Sequence, residues 1–219
     1  MQDDVAVFLC ERSGNMARPW CESGIKCVTI DLQPPMWEHP NRTHIVRDVK
    51  AMATSIALWN VRFIAAFPPC THLSSSGARW WQDKGLRALI DGLELVEVCR
   101  EICEGSGAPY MIENPVGRLA TCWRQPDYTF HPVHYAGYAS DPEGDEYTKK
   151  TCLWTGNGFI MPDRKPGHPT LGSKMHRLSP GADRADQRSE TPLGFANAVF
   201  QANQKRIKVT TRAKAGAAR

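Results

Sequence analysis

What constrains this chain most is where its short apolar runs stop. Val5-Ala-Val-Phe-Leu9 ends at a polar loop, and Lys26-Cys-Val-Thr-Ile-Asp31 ends on an acid. Val61-Arg-Phe-Ile-Ala-Ala-Phe67 is cut off by Pro68-Pro69, and Tyr110-Met-Ile112 runs into Glu113-Asn114-Pro115. Apolar runs of this length, bounded by turn residues, are expected to be buried strands. Thr43-His-Ile-Val46 is a weaker run of the same kind. Helical stretches fall between them: a loop over 10–19 leading into a short helix, a helix started by Asp48 and lasting through Leu58, and a long helix over 82–104. Alternating strands and helices predict a parallel α/β sheet. Ligands of such sheets sit beyond the carboxyl ends of the strands. Asp31, Cys70 and Glu113 are therefore expected on one rim.

The long helix carries Leu86, Leu89, Ile90, Leu93, Val96 and Cys103 on one face, and Gly105-Ser-Gly107 ends it. From about 120 to 190 the chain is rich in Pro, Gly, His and aromatic residues and shows few clean periods. Lys150-Thr-Cys-Leu-Trp154 is one strand candidate there. Residues 191–203 are expected to be a helix, with Thr191 as N-cap and Pro192 in the first position. The tail after Asn203 holds six Lys or Arg and no acid. The expected organisation is a core over 1–156, a loop region over 157–190, a closing helix over 191–203 and a basic, disordered tail over 204–219.

A chain of 219 residues with 42% hydrophobic and 23% charged residues can bury one real core. No run reaches the ~18 apolar residues of a membrane span, and Asp3 and Asp4 argue against a signal peptide. The eight cysteines are irregularly spaced, so a reducing, cytoplasmic setting is expected. Cys99, Cys103, Cys122, His131 and His134 lack the paired spacing of zinc ligands, and no metal is expected. The net charge of +4 is compatible with a polyanionic partner.

Phe67-Pro-Pro-Cys70-Thr-His-Leu-Ser-Ser-Ser-Gly77 sets a thiol on a stiff turn after a strand, which suits a nucleophile. Reactivity would need thiolate character from a nearby cation or helix N-terminus. A buried structural cysteine is the alternative. Glu113, beside Asn114 and Pro115, is a carboxylate that burial could tune into a proton donor, or else a surface residue opening a turn.

Together these segments resemble cytosine-C5 DNA methyltransferases, nearest to short phage-encoded DNA methylases. That family has a Pro-Cys loop after one strand and a Glu-Asn loop after the next. Here they are Pro69-Cys70 and Glu113-Asn114, about forty residues apart across the long helix. The resemblance implies a Rossmann-like methyltransferase fold with a reduced target-recognition region, in the host cytoplasm if phage-encoded. It implies S-adenosylmethionine as cofactor and duplex DNA with a flipped cytosine as partner. Cys70 would add to C6 while Glu113, with Asn114, supports N3, and Lys149 or Lys150 would replace a family arginine. Ser13, Gly14 and Asn15 would line the cofactor loop, with Asp31 on the ribose, Asp48 near adenine and Pro68 beside them. The loop keeps one glycine where the family has several. Ser74, Ser75, Arg79, Lys174 and Arg177 would contact DNA.

Residues 157–190 are short for a recognition region, so sequence selectivity would be modest or would need an accessory protein. Two alternatives remain at this point. One is the same chemistry on RNA, a nucleotide or with a larger donated group. The other is a decayed scaffold that only binds nucleic acid.

Overall fold

The computed structural model describes residues 4–174, 181 and 184–205. Its strands are β1 (Val5–Leu9), β2 (Lys26–Asp31), β3 (Arg42–Val46), β4 (Val61–Ala66), β5 (Tyr110–Pro115), β6 (Tyr128–Phe130) and β7 (Thr151–Gly156). They form one sheet in the order β3-β2-β1-β4-β5-β7-β6. β1, β2, β3, β4 and β5 are parallel, and β7 runs antiparallel between β5 and β6. The chain is thus a mixed α/β protein with a mostly parallel sheet. β6 was not foreseen, because three residues carry no readable period.

The helices are α1 (Arg18–Glu22), α2 (Ala53–Ile56), α3 (Trp81–Gly105), α4 (Leu119–Cys122), α5 (Arg184–Ser189) and α6 (Leu193–Asn203). Successive side chains of a strand point to opposite faces, and the core divides accordingly. Val7 and Leu9 of β1 join α2 and α3 residues such as Ile56, Val96 and Cys103 on one face. Ala6 and Phe8 join Trp20 of α1 and Phe195 and Val199 of α6 on the other. The central strands are therefore buried on both faces of the sheet. No described helix is long and apolar enough to cross a membrane.

Three local expectations are corrected. The long helix does not bury its whole apolar stripe: Leu86 is 71% exposed and Ile90 45%. Val96, Cys99, Ile102 and Cys103 of its second half are buried, while Leu89 and Leu93 pack against that core only partly buried. Gly85 also breaks its first turn at φ 73°, ψ 179°. Thr191 is not the cap of the closing helix. Pro192 holds the N-cap position without a side-chain bond, and the buried Asp145 accepts from the Gly194 N–H at 2.6 Å. The cap thus comes from a distant loop, which no local pattern can reveal. Asp48 does open its helix, accepting from Lys50 N–H at 2.9 Å, but the first turn is 3-10, Val49–Met52.

Of the stretch expected to be a recognition loop, residues 157–174 follow the body closely. Asn203 of α6 grips Ile160 through both of its backbone groups. Lys165 N–H donates to His134 O, and Gly167 N–H to Val133 O. The basic tail beyond Lys205 lies outside the described residues.

Candidate active site

Following β3, the chain crosses to the other side of β1, so the carboxyl ends of β1 and β4 flank the switch point of the sheet. The loops after β1, β2, β4 and β5 gather at this rim.

The β4 loop carries Cys70, which is half-buried. Its carbonyl accepts from the N–H groups of both Leu73 and Ser74 at 2.9 Å, closing a tight turn. The turn is bound to the loop after β5 at several points. Asn114, 1% exposed, donates from Nδ2 to Pro68 O at 2.8 Å. Ser75 N–H donates to Val116 O and Arg118 N–H to Leu73 O. A Cβ at Gly117 would lie 2.0 Å from Leu73 O, so only glycine permits this approach.

Glu113 lies within β5, not after it. Pairing with β4 stops at Ile112, but pairing with β7 continues through Glu113, Asn114 and Pro115. Glu113 and Lys149 line one narrow crevice with Phe67, Thr191 and Phe195. Burial raises the Glu113 carboxyl above its usual range, against the opposing charge of Lys149. Burial, then the Glu113 charge, raises the Cys70 thiol, while Lys149 and Arg188 act to lower it. On balance these surroundings favour the thiol over the thiolate, with Lys149 and Arg188 as the nearby cations acting the other way. The same couplings place Cys70, Glu113, Lys149 and Arg188 in one electrostatic neighbourhood.

Lys149 Nζ donates to Arg188 O at 2.8 Å. Lys150 is exposed and acts on His131 and Cys152 instead. Neighbouring residues entering a strand face opposite ways, so only Lys149 joins the crevice. Arg188 also donates from Nη2 to Ser76 Oγ at 3.3 Å, tying α5 to the Cys70 loop.

The loop after β1 is organised by Glu11, which sequence reasoning passed over. Its Oε1 accepts from Ser13 Oγ at 2.5 Å and from Gly14 N–H at 2.8 Å. Its Oε2 is buried and has no hydrogen-bond partner among the described residues. Burial raises this carboxyl, chiefly against its bond from Ser13 and the Arg42 charge. Arg42, reaching in from β3, donates to Arg12 O at 3.0 Å, to Thr29 Oγ1 at 3.0 Å and to Trp37 O. Gly14 has φ 82°, and a Cβ there would sit 2.7 Å from the Arg42 guanidinium. Asn15 donates to Thr191 O at 3.0 Å, joining the loop to the segment before α6.

Asp31 ends β2 half-buried and accepts from Gln33 N–H; Asp48 is exposed. Both act on the Cys10 thiol at the end of β1, which is raised first by its hydrogen bond to Cys99, then by burial, then by these charges among others. Pro68 is buried and holds Asn114 through its carbonyl.

The residues expected on DNA are scattered. Ser74 is buried and caps the 3-10 helix Ser75–Trp80, and Ser75 is exposed beside it. Arg79 is exposed, its guanidinium 5.0 Å over the Trp80 ring. Lys174 sits over Tyr147, bonded to Gly144 O, near the cap of α6 and not at the cleft. Arg177 lies outside the described residues. Among the described residues, no three His, Cys, Asp or Glu side chains are placed to hold a metal ion.

No protein-family model matches this chain, and no curated protein matches it in sequence.

Proposed function

We propose that the protein transfers a methyl group to C5 of cytosine in DNA, with Cys70 as nucleophile and Glu113 as proton donor. The observation that carries this reading is the joining of Cys70 and Glu113. Glu113 stands where the pairing of β4 with β5 stops, and its charge acts on Cys70 in the loop after β4, with the two segments locked by Asn114 and Gly117. The strand order, with β7 reversed, fits the Rossmann-like methyltransferase fold that the sequence resemblance implies.

The β1 loop fits S-adenosylmethionine. The buried Oε2 of Glu11, without a hydrogen-bond partner among the described residues, suits a cationic donor such as the cofactor's ammonium group. Gly14, Ser13 and Asn15 shape the loop, and Asp31 offers lone pairs to ribose hydroxyls. When bound, the cofactor supplies a methyl group on an electrophilic sulfonium.

C5 of cytosine is a poor nucleophile, and covalent addition divides the hard step into easier ones. Cys70 Sγ gives up its proton as it bonds to C6, and N3 gains a proton from Glu113. One proton thus passes, net, from the thiol to N3. The raised carboxyl of Glu113 suits a group that must donate near neutral pH. After methylation, C5 loses its proton to solvent, the Sγ–C6 bond breaks with Cys70 leaving as thiolate, and the N3 proton returns through Glu113 to that thiolate. Lys149 and Arg188 favour that thiolate.

The test is tritium transfer from labelled cofactor to DNA, with DNA containing 5-fluorocytosine as a trap. Wild-type protein should form a covalent adduct, since fluorine cannot leave C5 as a proton does. A folded Cys70→Ala protein that still transfers methyl groups would overturn the assignment.

One observation favours a second reading. Because residues 157–174 are bound to the body, little described chain is free to read base edges. The same chemistry on RNA or on a nucleotide would need less. RNA and dCMP as acceptors in the same assay separate these substrates.

A further inference from the structure

Beyond the β6 edge of the sheet, two histidines meet two permanent cations. Phe130 of β6 pairs with Thr151 of β7, so the next positions outward are His131 and Lys150. His134 closes the 3-10 helix Pro132–His134, and its ring meets that of His131 edge-on, with centroids 5.3 Å apart. Lys165 N–H donates to His134 O at 3.0 Å, which sets Arg164 beside His134, and Arg164 itself bonds to the Tyr135 hydroxyl. His131 has extended backbone, so its side chain leaves on the side opposite to Phe130. Phe130 and Lys149 line the Glu113 crevice, and His131 and Lys150 face away from it. The cluster is therefore separate from the candidate active site.

Burial, then Lys150 and Arg164, lowers His131; burial, then Arg164 and His131, lowers His134. No carboxylate of the described residues is among the groups acting on either ring. Asp163, the nearest acid in sequence, acts on Tyr135, and the Lys165 ammonium is turned to the Tyr138 ring at 5.7 Å. His134 Nδ1 accepts from His131 N–H at 3.3 Å, so a neutral His134 carries its proton on Nε2. Lys150 and Arg164 are exposed, and both imidazoles are part-exposed. Folding thus gathers four basic groups without a counter-charge. Only a negative ligand relieves their mutual repulsion, and its charge favours protonated imidazoles.

We propose that His131, His134, Lys150 and Arg164 bind a terminal phosphate group, dianionic and with three free oxygens. The second pKa of such a group is about 6, so it is mostly dianionic at pH 7. Lys150 and Arg164 supply the two fixed charges that match it. A guanidinium donates to two phosphate oxygens at once, and the imidazoles offer further N–H groups to the third. An internal phosphodiester, with one charge and two free oxygens, leaves half of this set unused. Inorganic phosphate and a nucleoside monophosphate present the same chemistry. The site does not depend on methyl transfer.

The experiment titrates the full chain at pH 7 by calorimetry with inorganic phosphate, dCMP, deoxycytidine and dimethyl phosphate. Phosphate and dCMP should bind, and dimethyl phosphate should bind about 10-fold more weakly or worse. Lys150→Gln and Arg164→Gln, both at exposed positions, should each weaken phosphate and dCMP roughly 10-fold without lowering Tm. Histidine ring signals in proton NMR, assigned with His131→Gln and His134→Gln, should titrate at higher pH in the presence of phosphate. Tighter binding of dCMP than of phosphate or deoxycytidine, weakened in both variants, identifies a nucleotide as the source; equal affinity of dCMP and phosphate identifies the free anion. No binding of phosphate or dCMP, dimethyl phosphate binding as well as phosphate, unchanged affinity in either variant, or unshifted histidine signals would overturn the proposal. Tritium transfer to DNA is measured separately, and its absence would sink the methyltransferase reading while leaving this site standing.

Discussion

The carboxamide of Asn114 donates to the carbonyl of Pro68 at 2.8 Å, joining the strand end that carries Glu113 to the turn that carries Cys70. Acid and thiol are thus positioned as one unit.

Asn114→Ala should leave Pro68 O buried without a partner, at a cost of roughly 1–3 kcal/mol. Thermal melting measures that cost. Mass-spectrometric alkylation should also show Cys70 reacting faster, because a loosened turn exposes it. An unchanged melt and unchanged alkylation would mean that the bond does not hold the turn.

Gly117→Ala should be worse tolerated than its chemistry suggests. The added methyl would meet Leu73 O, and overpacking of this kind costs about 1–3 kcal/mol. Gly144, with open space at its Cβ, is the control, and Gly144→Ala should stay within about 0.5 kcal/mol. Denaturant unfolding of the two variants compares them directly.

Glu113→Gln should move two measurements in opposite directions. Methyl transfer should fall about 10²–10⁴-fold with the loss of the proton donor. Cys70 alkylation should accelerate at neutral pH, because the Glu113 charge helps to raise its thiol. Lys149→Ala should slow the same alkylation, since Lys149 acts in the lowering sense. A pH profile that moves upward in Glu113→Gln would show that the two groups are not coupled as described.

Glu11 gives a pH signature. Its folded carboxyl is raised by burial above the usual 4.5. The unfolded chain loses this proton first as pH rises, so the stability held at low pH declines from about 4.5 up to the raised value. Glu11→Gln keeps an acceptor for Ser13 and Gly14 but carries no charge. It should flatten that decline, raise Tm near pH 8 and weaken S-adenosylmethionine binding measured by calorimetry. Higher Tm with unchanged cofactor affinity would remove Glu11 from the binding site while leaving its burial cost intact.

The sequence alone determined the order of strand and loop along the first half of the chain, and which chemical groups end each strand. Strand burial and the residues that stop a strand are local properties, so Asp31, Cys70 and Glu113 were legible on one rim. The tertiary structure decided the rest. β7 inserts in reverse between β5 and β6, which keeps Glu113 and Asn114 in regular pairing. That same insertion turns Lys149 to the crevice and Lys150 away. Glu11 became visible only through the groups that surround it, and Asp145 only through a helix end far along the chain. Leu86 and Ile90 kept the helical period but stay exposed, because a period marks a face and not what covers it. Partner choice across long separations depends on which surfaces meet when the chain closes, and no short window of sequence contains that information.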